Sequence, residues 1–265
     1  MIDAANRLTA LTRMGFAARG IIYLVIAVFV MTNGRAEDPA GAIRYLGEGN
    51  GKAFLLLITF GLLGYGMWRL CDAAFNIEGH GNDRSGMAER LGAAGSGIVH
   101  LLLVWQAVKL LRGAAALEGM TAQESAQSVL VLPGGHLVLI VIGLLLIAVG
   151  IFQTIKAIKG SYLDDLQPDA AKREWIKWSG RLGYLARSVI FVIAGFFFIS
   201  AGFAEQASEA GGMAEALKWL TSPWDIIVAA GLFAFGLFSL IEARYRIIHD
   251  VPVQNIGSKV KAKLR

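Results

Sequence analysis

Charged residues, proline and cysteine are all scarce in this chain of 265 residues. The single cysteine, Cys71, excludes an intrachain disulfide and a metal site built only from cysteines. Five prolines are too few for a proline-rich disordered chain, and charged residues, at 17%, fall below the roughly 25% of a soluble domain. Hydrophobic residues reach 55%, and the 32 glycines exceed the ordinary share. This composition favours a helical membrane protein over a soluble one.

Six stretches are long and apolar enough to cross a membrane, which takes about 20 residues in a helix. Backbone polar groups cannot remain unpaired in lipid, so each stretch is predicted to be a helix. A soluble protein with buried helices is the alternative, but such helices keep a polar face and the run 137–152 has none. The spans are predicted at 15–33, 54–75, 94–111, 136–158, 185–204 and 224–244.

Lysine and arginine are unequally distributed between the two sides of the predicted bundle. Six helices place both termini on one side, and 19 of the 25 Lys and Arg residues fall there. Because positive charge is retained in the cytoplasm, both termini are predicted to be cytoplasmic. The basic tail at 249–265 either touches anionic lipid headgroups or is simply solvated. No nucleic-acid partner is expected, because aromatic residues are not interleaved with these charges.

The chain repeats itself three times. Each odd-numbered span begins with arginine, an apolar residue and glycine, at Arg13, Arg90 and Arg181. Each even-numbered span ends with glycine, an apolar residue, an aromatic residue, three further residues, a charge and alanine. This pattern predicts an all-α protein of three parallel two-helix repeats, at 10–78, 87–162 and 178–248, around a pseudo-threefold axis along the membrane normal. Small residues let helices approach closely. The glycines predicted to pack are Gly15, Gly66, Gly92, Gly150, Gly183 and Gly236, with further small pairs at Gly61/Gly64 and Gly92/Gly95.

A weaker repeat precedes each even-numbered span. It runs over Ala42–Leu46, Ala126–Leu130 and Ala214–Leu220. We expect short amphipathic helices on the outer face here, with Tyr45 and Trp219 as interfacial anchors.

The repeated motifs resemble a known family. The residues that carry the resemblance are Ala18-Arg19-Gly20 with Tyr23, Ala186-Arg187-Ser188, and the ending Glu242-Ala243-Arg244-Tyr245-Arg246. They resemble the bacterial domain-of-unknown-function 1206 family, over roughly residues 10–248. The resemblance implies an integral membrane protein with three copies of a two-helix repeat, here placed in the inner membrane, and it supplies no activity, substrate or cofactor. The middle copy departs from the pattern at Gly95-Ser96-Gly97 and Lys156, so a site carried by the pattern is expected to be lost there.

Charges inside the spans suggest either pairing or function, because charge is costly in a membrane. Within single hairpins, Arg19 with Asp72 and Arg187 with Glu242 are the predicted ion pairs. The alternative is a charged ring around the axis that closes a cytoplasmic gate, for which carriers built from three two-helix repeats offer an architectural analogy. The candidate residues lie near the cytoplasmic ends of the spans and are Arg19, Asp72, Lys156, Arg187 and Glu242.

One ring position recurs in the odd-numbered spans and is predicted to line the axis. His100 could act there as a proton relay or ligand, although a hydrogen bond to a neighbouring helix is more usual. Haem is not expected, because His136 lies at the opposite end of its span. His80 and His249 are weak grounds for a zinc site. The axis-lining candidates are Tyr23, His100 and Phe191.

The sequence has no recognisable catalytic constellation, phosphate loop or metal motif, so no enzyme and no cofactor are predicted. Gln106 and Gln153 are expected to hydrogen-bond neighbouring helices. We interpret the chain as an accessory or structural membrane protein that binds lipid or a membrane protein partner. The alternative is a small transporter or channel along the axis, which an axis plugged by aromatic rings would disfavour. The sequence leaves the oligomeric state open.

Overall fold

The computed structural model describes residues 2–48, 51–81, 83–113 and 121–248, and helices dominate all four stretches. The predicted basic tail at 249–265, and His249 with it, lies outside the described residues. No β-strand occurs in the described stretches, which hold only an isolated antiparallel bridge between Leu166 and Arg246. Their α-helices are, in chain order, α1 (Ile2–Asn33), α2 (Pro39–Gly47), α3 (Lys52–Phe75), α4 (Arg84–Leu111), α5 (Ala122–Leu130), α6 (Gly135–Lys159), α7 (Pro168–Ala171), α8 (Glu174–Ala204), α9 (Met213–Trp219) and α10 (Trp224–Tyr245).

Six of these helices are long and apolar enough to cross a membrane, which confirms the six predicted spans. Three of them, α1, α4 and α8, begin well before the predicted span starts at 15, 94 and 185. In α4 the early start has a clear cause, because the carboxylate of Asp83 caps the helix and accepts a hydrogen bond from the Gly86 amide at 3.1 Å. The candidate spans are Thr9–Asn33, Lys52–Phe75, Gly86–Leu111, Gly135–Lys159, Glu174–Ala204 and Trp224–Tyr245.

The six spanning helices form an open arc. Neighbours in the arc pack extensively in the order α6, α8, α10, α1, α3, α4. The two end helices, α4 and α6, make at most marginal contact with each other, although they belong to the same repeat. Side chains of α1, α3, α4, α8 and α10 share one hydrophobic core, so the row of helices is curved. We call the side with the start of α1 and the end of α10 the terminal side, and the opposite side the loop side.

Glycines lie at the interfaces between consecutive repeats, which are α3–α4, α6–α8 and α10–α1. In each interface the glycine near the end of an even-numbered span meets a small residue of the next odd-numbered span. A Cβ on any of these three glycines would lie 2.9 to 3.3 Å from a carbonyl oxygen across the interface, so larger side chains are excluded. The pairs are Gly66 with Gly97, Gly150 with Ser188, and Gly236 with Gly20.

Within a repeat, the two spanning helices pack together only in the first and third copies. Gly15 lies against α3 and Gly183 against α10, and a Cβ on either would come within 2.7 Å of a main-chain atom. The equivalent Gly92 and the nearby Gly95 have open space around the position of a Cβ. The prediction that these two glycines pack against a neighbouring helix is therefore wrong.

The sequence of α6 explains why the middle hairpin is open. Where α3 and α10 place Gly61 and Gly231 against the odd-numbered span of their own repeat, α6 has Leu145, which is 61% exposed. A leucine at this position prevents the close backbone approach that the two glycines allow. Four residues later, α6 carries Val149 in place of the aromatic ring that α3 and α10 insert between their helices. The middle repeat thus lacks both features that close the other two.

Three short helices lie on the loop side, one before each even-numbered span. Each of α2, α5 and α9 buries one alanine against the spanning helices, namely Ala42, Ala126 and Ala216. α5 begins with a capping box in which Thr121 and Glu124 each bond the other's main-chain amide.

Candidate functional site

Buried charges gather on the terminal side, where α1, α3 and α10 meet. Arg19 of α1 donates from Nη1 to the Tyr65 hydroxyl at 2.6 Å and from Nε to the Ser239 hydroxyl at 3.1 Å. Its Nη2 donates to the carboxylate of Glu242 in α10. Three aromatic rings lie 4.9 to 5.1 Å from the guanidinium carbon. The charge of Arg19 is therefore compensated by an acid and supported by rings within an apolar environment.

This pairing differs from the predicted one. Arg19 pairs with Glu242 of the third repeat, and not with Asp72 of its own hairpin, because α10 packs against α1. Arg187 does not pair with Glu242 either. The second oxygen of Glu242 instead accepts a hydrogen bond from Arg246 at 2.9 Å. Both predicted intra-hairpin ion pairs are thus wrong, and a bond between the first and third repeats replaces them.

Arg246, just beyond the end of α10, joins carboxylates from three parts of the chain. Its Nη1 contacts Glu242 at 2.9 Å, and its Nη2 contacts Glu78 and Asp165 at 3.0 Å each. Glu78 follows α3 and Asp165 follows α6, so all three repeats meet at this guanidinium. Burial alone would lower the pKa of Arg246, but the three carboxylates raise it above its ordinary value.

Main-chain hydrogen bonds fix the segment that carries Asp165 to the end of α10. The amide of Ile247 donates to the carbonyl of Asp165 at 2.8 Å, and the amide of Gln167 donates to the carbonyl of Tyr245 at 2.9 Å. These bonds flank the bridge between Leu166 and Arg246. The position of the Asp165 carboxylate is therefore set by the backbone.

Three arginines at equivalent repeat positions hold the ends of the even-numbered spans. Each lies on an odd-numbered span and donates to the carbonyl of the alanine near the end of the neighbouring even-numbered span. A cation is favourable at a helix C-terminus, where carbonyls lack amide partners. The pairs are Arg13 with Ala243 at 2.9 Å, Arg90 with Ala73 at 3.0 Å, and Arg181 with Ala157 at 3.2 Å.

A second charged cluster surrounds Asp72 at the end of α3. Its carboxylate lies 3.0 Å from His80 Nε2 and 3.3 Å from Arg69 Nη1, and it accepts the amide of Glu78 at 3.0 Å. The other ring nitrogen of His80 lies 2.8 Å from Glu89. Hydrogen bonds to Asp72 and Glu89 raise the pKa of His80 to about 9, so the ring is positively charged at neutral pH. His80 therefore links the end of α3, through Asp72, to the start of α4, through Glu89.

Arg187 has no acidic partner among the described residues. Its guanidinium carbon lies 4.4 Å from the ring centre of Phe235 and 5.4 to 5.6 Å from those of Phe191 and Tyr23. Its Nε is buried without a hydrogen-bond partner. Two of the three predicted axis-lining residues therefore surround a cation.

Lys156 of α6 stands where the α10–α1 interface has the acid Glu242. It is the repeat equivalent of Glu242, and its ammonium lies 4.0 Å from Asp165. Asp165 is closer to Arg246, at 3.0 Å. The five charged candidates thus lie in different surroundings, and a closed charged ring around the axis stays a prediction.

His100, the third axis-lining candidate, makes local contacts. Its Nδ1 lies 2.7 Å from the carbonyl of Ser96 on its own helix, and its ring lies 4.5 Å from that of Tyr65. No group of three His, Cys, Asp or Glu side chains in the described part of the chain is arranged for a metal. The pairing of His80 with His249, for which the sequence offers only weak grounds, involves a residue outside that part, and His80 is held by two carboxylates.

The sequence interpretation missed Glu78, Asp165 and Tyr65. Both acids lie between spans, and nothing in the spacing of the sequence shows that two such segments meet at Arg246. Arg246 itself ends the Glu-Ala-Arg-Tyr-Arg motif, which could have marked it as a candidate. The arrangement binds its charges to each other, so its chemistry is that of a buried ionic junction between repeats.

A family model for the Domain of Unknown Function DUF1206 matches the chain three times, at residues 14–76, 91–160 and 182–246. The chain is also similar to the uncharacterized protein YxxB of Bacillus subtilis (strain 168), with 27% identity over 248 residues that cover 88% of this chain and 90% of that protein. No solved structure matches the chain. Each match covers most of one pair of spanning helices, and together they cover most of the sequence, so the chain belongs to the DUF1206 family.

Proposed function

We propose that this chain is a non-enzymatic accessory protein of the bacterial inner membrane that binds lipid in the open hairpin of its middle repeat. The binding surface is the gap between α4 and α6, which we call the middle-repeat groove. Its walls are exposed residues at the positions where the other hairpins close, namely Gly92, Gly95 and Val99 on α4 and Leu145 and Ala148 on α6.

The observation that carries the proposal is the exposure of these helix faces. Val99 is 53% exposed, whereas its equivalents Ile22 and Ile190 are 2% and 3% exposed between their helices. In a membrane an apolar face without a protein partner is covered by acyl chains, which match its polarity. An acyl chain also adapts to a surface that combines bare glycine backbone with the protruding Leu145. The groove therefore suits lipid better than a second regular helix.

The transport alternative has no observation of this kind in its favour. The guanidinium of Arg187 lies over the rings of Tyr23, Phe191 and Phe235, two of which belong to the residues predicted to line the axis. A hydrated path would have to separate these contacts. Lipid binding requires no such movement.

The proposal includes an orientation and a symmetry. The terminal side is assigned to the cytoplasm, which the excess of Lys and Arg on that side supports. A pseudo-threefold arrangement is supported by three equivalent glycine interfaces and three equivalent arginine caps. α2, α5 and α9 are assigned to the outer membrane interface, and the exposure of Tyr45 and Trp219 supports this.

Lipid retention by the purified protein tests the proposal. The full chain is extracted in a mild detergent, and bound phospholipid is counted by native mass spectrometry. Gly95→Leu adds an apolar side chain to a wall of the groove, at a position where a Cβ has no neighbour within 4 Å. Ala230→Leu is the matched control, since Ala230 is exposed on the face of α10 that points away from the buried Phe235.

We expect the wild type and Ala230→Leu to retain phospholipid and Gly95→Leu to lose most of it. Absence of retained phospholipid from the wild type, or equal retention by the two variants, would contradict the proposal. Thermal unfolding of each variant, followed by tryptophan fluorescence, separates loss of lipid from loss of fold.

A further inference from the structure

The junction between α6 and α8 lacks the acid that its counterpart between α10 and α1 contains. In the α10–α1 junction, Arg19 pairs with Glu242. The repeat equivalents in the α6–α8 junction are Arg187 and Lys156, so two cations stand where the α10–α1 junction has a cation and an acid. The substitution reverses one charge at an otherwise equivalent interface.

The missing acid leaves polar groups without partners. Arg187 makes no hydrogen bond or ion pair with the described residues. Its guanidinium lies only against the aromatic rings of Tyr23, Phe191 and Phe235. Gln153, one turn from Gly150 in the same interface, is 6% exposed, and its Oε1 has no hydrogen-bond partner. A guanidinium near the hydrocarbon of a membrane is stable only when an anion or water compensates it. The junction is therefore incomplete within the described part of the chain.

The position of Arg187 relates it to the middle-repeat groove. Arg187 is partly exposed and lies just before the apolar run 189–199 of α8, near the level where headgroups meet acyl chains. It faces the inner side of the arc, where it contacts Tyr23 of α1. Because the arc is open between α4 and α6, the middle-repeat groove gives access to this inner side.

We propose that Arg187 binds the phosphate of an anionic phospholipid whose acyl chain occupies the middle-repeat groove. This inference rests on the proposed lipid-binding function and adds the chemistry of the headgroup. The phosphate oxygens supply the negative charge that Glu242 supplies to Arg19, and Lys156 adds a second positive charge at the same end of α6. A guanidinium is well suited to a phosphate, because its planar N–H groups match two oxygens.

Competition between two phospholipids tests the headgroup assignment. The full chain in detergent is mixed with equal amounts of phosphatidylglycerol and phosphatidylcholine, and the bound species are counted by native mass spectrometry. We expect a preference of about fivefold or more for phosphatidylglycerol, the size expected for one cation near a headgroup. Arg187→Gln should reduce the preference to near unity, and Arg187→Lys should keep part of it. Lys172→Gln removes an exposed charge from the same side and serves as the matched control, which should keep the full preference.

A second variant tests the role of Arg187 in the headgroup preference without replacing Arg187 itself. Lys156→Glu places an acid at the position that Glu242 occupies in the α10–α1 junction. The new carboxylate should therefore pair with Arg187 within the protein. The preference for phosphatidylglycerol should then disappear in the folded variant. The thermal midpoint reports a separate effect, because a glutamate here also replaces the 4.0 Å contact of Lys156 with Asp165 by a repulsion. This result is informative even when Arg187→Gln fails to fold.

The outcomes separate the two proposals. Equal binding of both phospholipids by the wild type, or an unchanged preference in Arg187→Gln or Lys156→Glu, would overturn the role of Arg187 and leave lipid binding intact. Failure of either phospholipid to bind the wild type would overturn the proposed function itself. Loss of a co-purified polypeptide, and not of phospholipid, in Arg187→Gln would also overturn the inference, since the occupant would then be a protein helix.

Discussion

Replacing Arg246 should destabilise the protein far more than replacing Glu78, one of its acidic partners. Arg246→Gln takes the guanidinium away from the carboxylates of Glu242 and Glu78, whose side chains are only 2% exposed, and also frees Asp165. Glu242 keeps Arg19 as a partner, whereas Glu78 is left without a cation. Glu78→Gln, in contrast, leaves Arg246 with two carboxylates and keeps an amide oxygen as acceptor. The two substitutions remove the same contact but leave very different charges behind.

The expected magnitudes follow from this asymmetry. Removing one member of a buried ion pair typically costs about 3–5 kcal/mol, because the remaining charge is uncompensated. Arg246→Gln should cost at least this much, and Glu78→Gln about 1–2 kcal/mol, the value of one charge-assisted hydrogen bond. The control is Arg244→Gln, since the Arg244 side chain is exposed only two residues away, and its cost should stay below about 0.5 kcal/mol.

Unfolding in mixed micelles of mild detergent and SDS, followed by the fluorescence of the six tryptophans, measures these three variants and the double variant that combines Arg246→Gln with Glu78→Gln. We expect the order Arg246→Gln, Glu78→Gln, Arg244→Gln, with the double variant more stable than Arg246→Gln alone, because one uncompensated acid is gone. Equal costs for Arg246→Gln and Glu78→Gln, or a double variant that is less stable than both, would refute the view of Arg246 as the common partner of three acids.

The remaining predictions concern the open hairpin and the charged histidine. Gly183→Ala should cost about 1–3 kcal/mol, because its Cβ would lie 2.6 Å from the main chain of Phe235, whereas Gly92→Ala should be neutral or slightly stabilising. The same unfolding assay compares them, and equal costs would contradict an open middle repeat. For His80 the folded pKa of about 9 exceeds the ordinary 6.5, so its stabilisation is complete below pH 6.5 and is lost as the pH rises towards 9. The free energy of unfolding should fall by about 1.5 kcal/mol over this window, roughly half of what the full pKa difference implies, because the ring borders water. His80→Gln should not show this dependence on pH.

The spans and repeats could be predicted because they depend on short-range patterns. A run of about 20 apolar residues has one stable form in lipid, and the glycines that separate such runs recur at fixed positions. The ion pairs could not be predicted in the same way. The partner of Arg19 depends on which helix of another repeat closes against α1, and Glu242 lies at the far end of the chain. The prediction of ion pairs within single hairpins assumed that the charges of each repeat pair with one another. The broadest helix interfaces, however, lie between repeats.

The reason for the open middle hairpin is present in the sequence. Leu145 stands where the other two repeats have glycine, and Val149 where they have a ring. Gly92 was predicted to pack because its own position matches the repeat, but a helix interface needs complementary residues on both sides. Packing at a repeated glycine is therefore predictable only when the facing helix also keeps its small residue and its ring.

An open hairpin in the middle of the chain requires another means of holding α6 in place, and the terminal side provides it. α6 packs along α8, and the segment that follows α6 is tied to the end of α10 by main-chain bonds on both sides of Leu166. Asp165 in this segment joins the buried group around Arg246, so the middle repeat is bonded to the other two through charges. The bonds on the terminal side can therefore hold α6 in the absence of a contact with α4. The groove between α4 and α6 then stays open for the proposed lipid. In this arrangement the ionic junction and the groove are linked: weakening the bond of Asp165 to Arg246 should loosen α6 and, with it, one wall of the proposed lipid site.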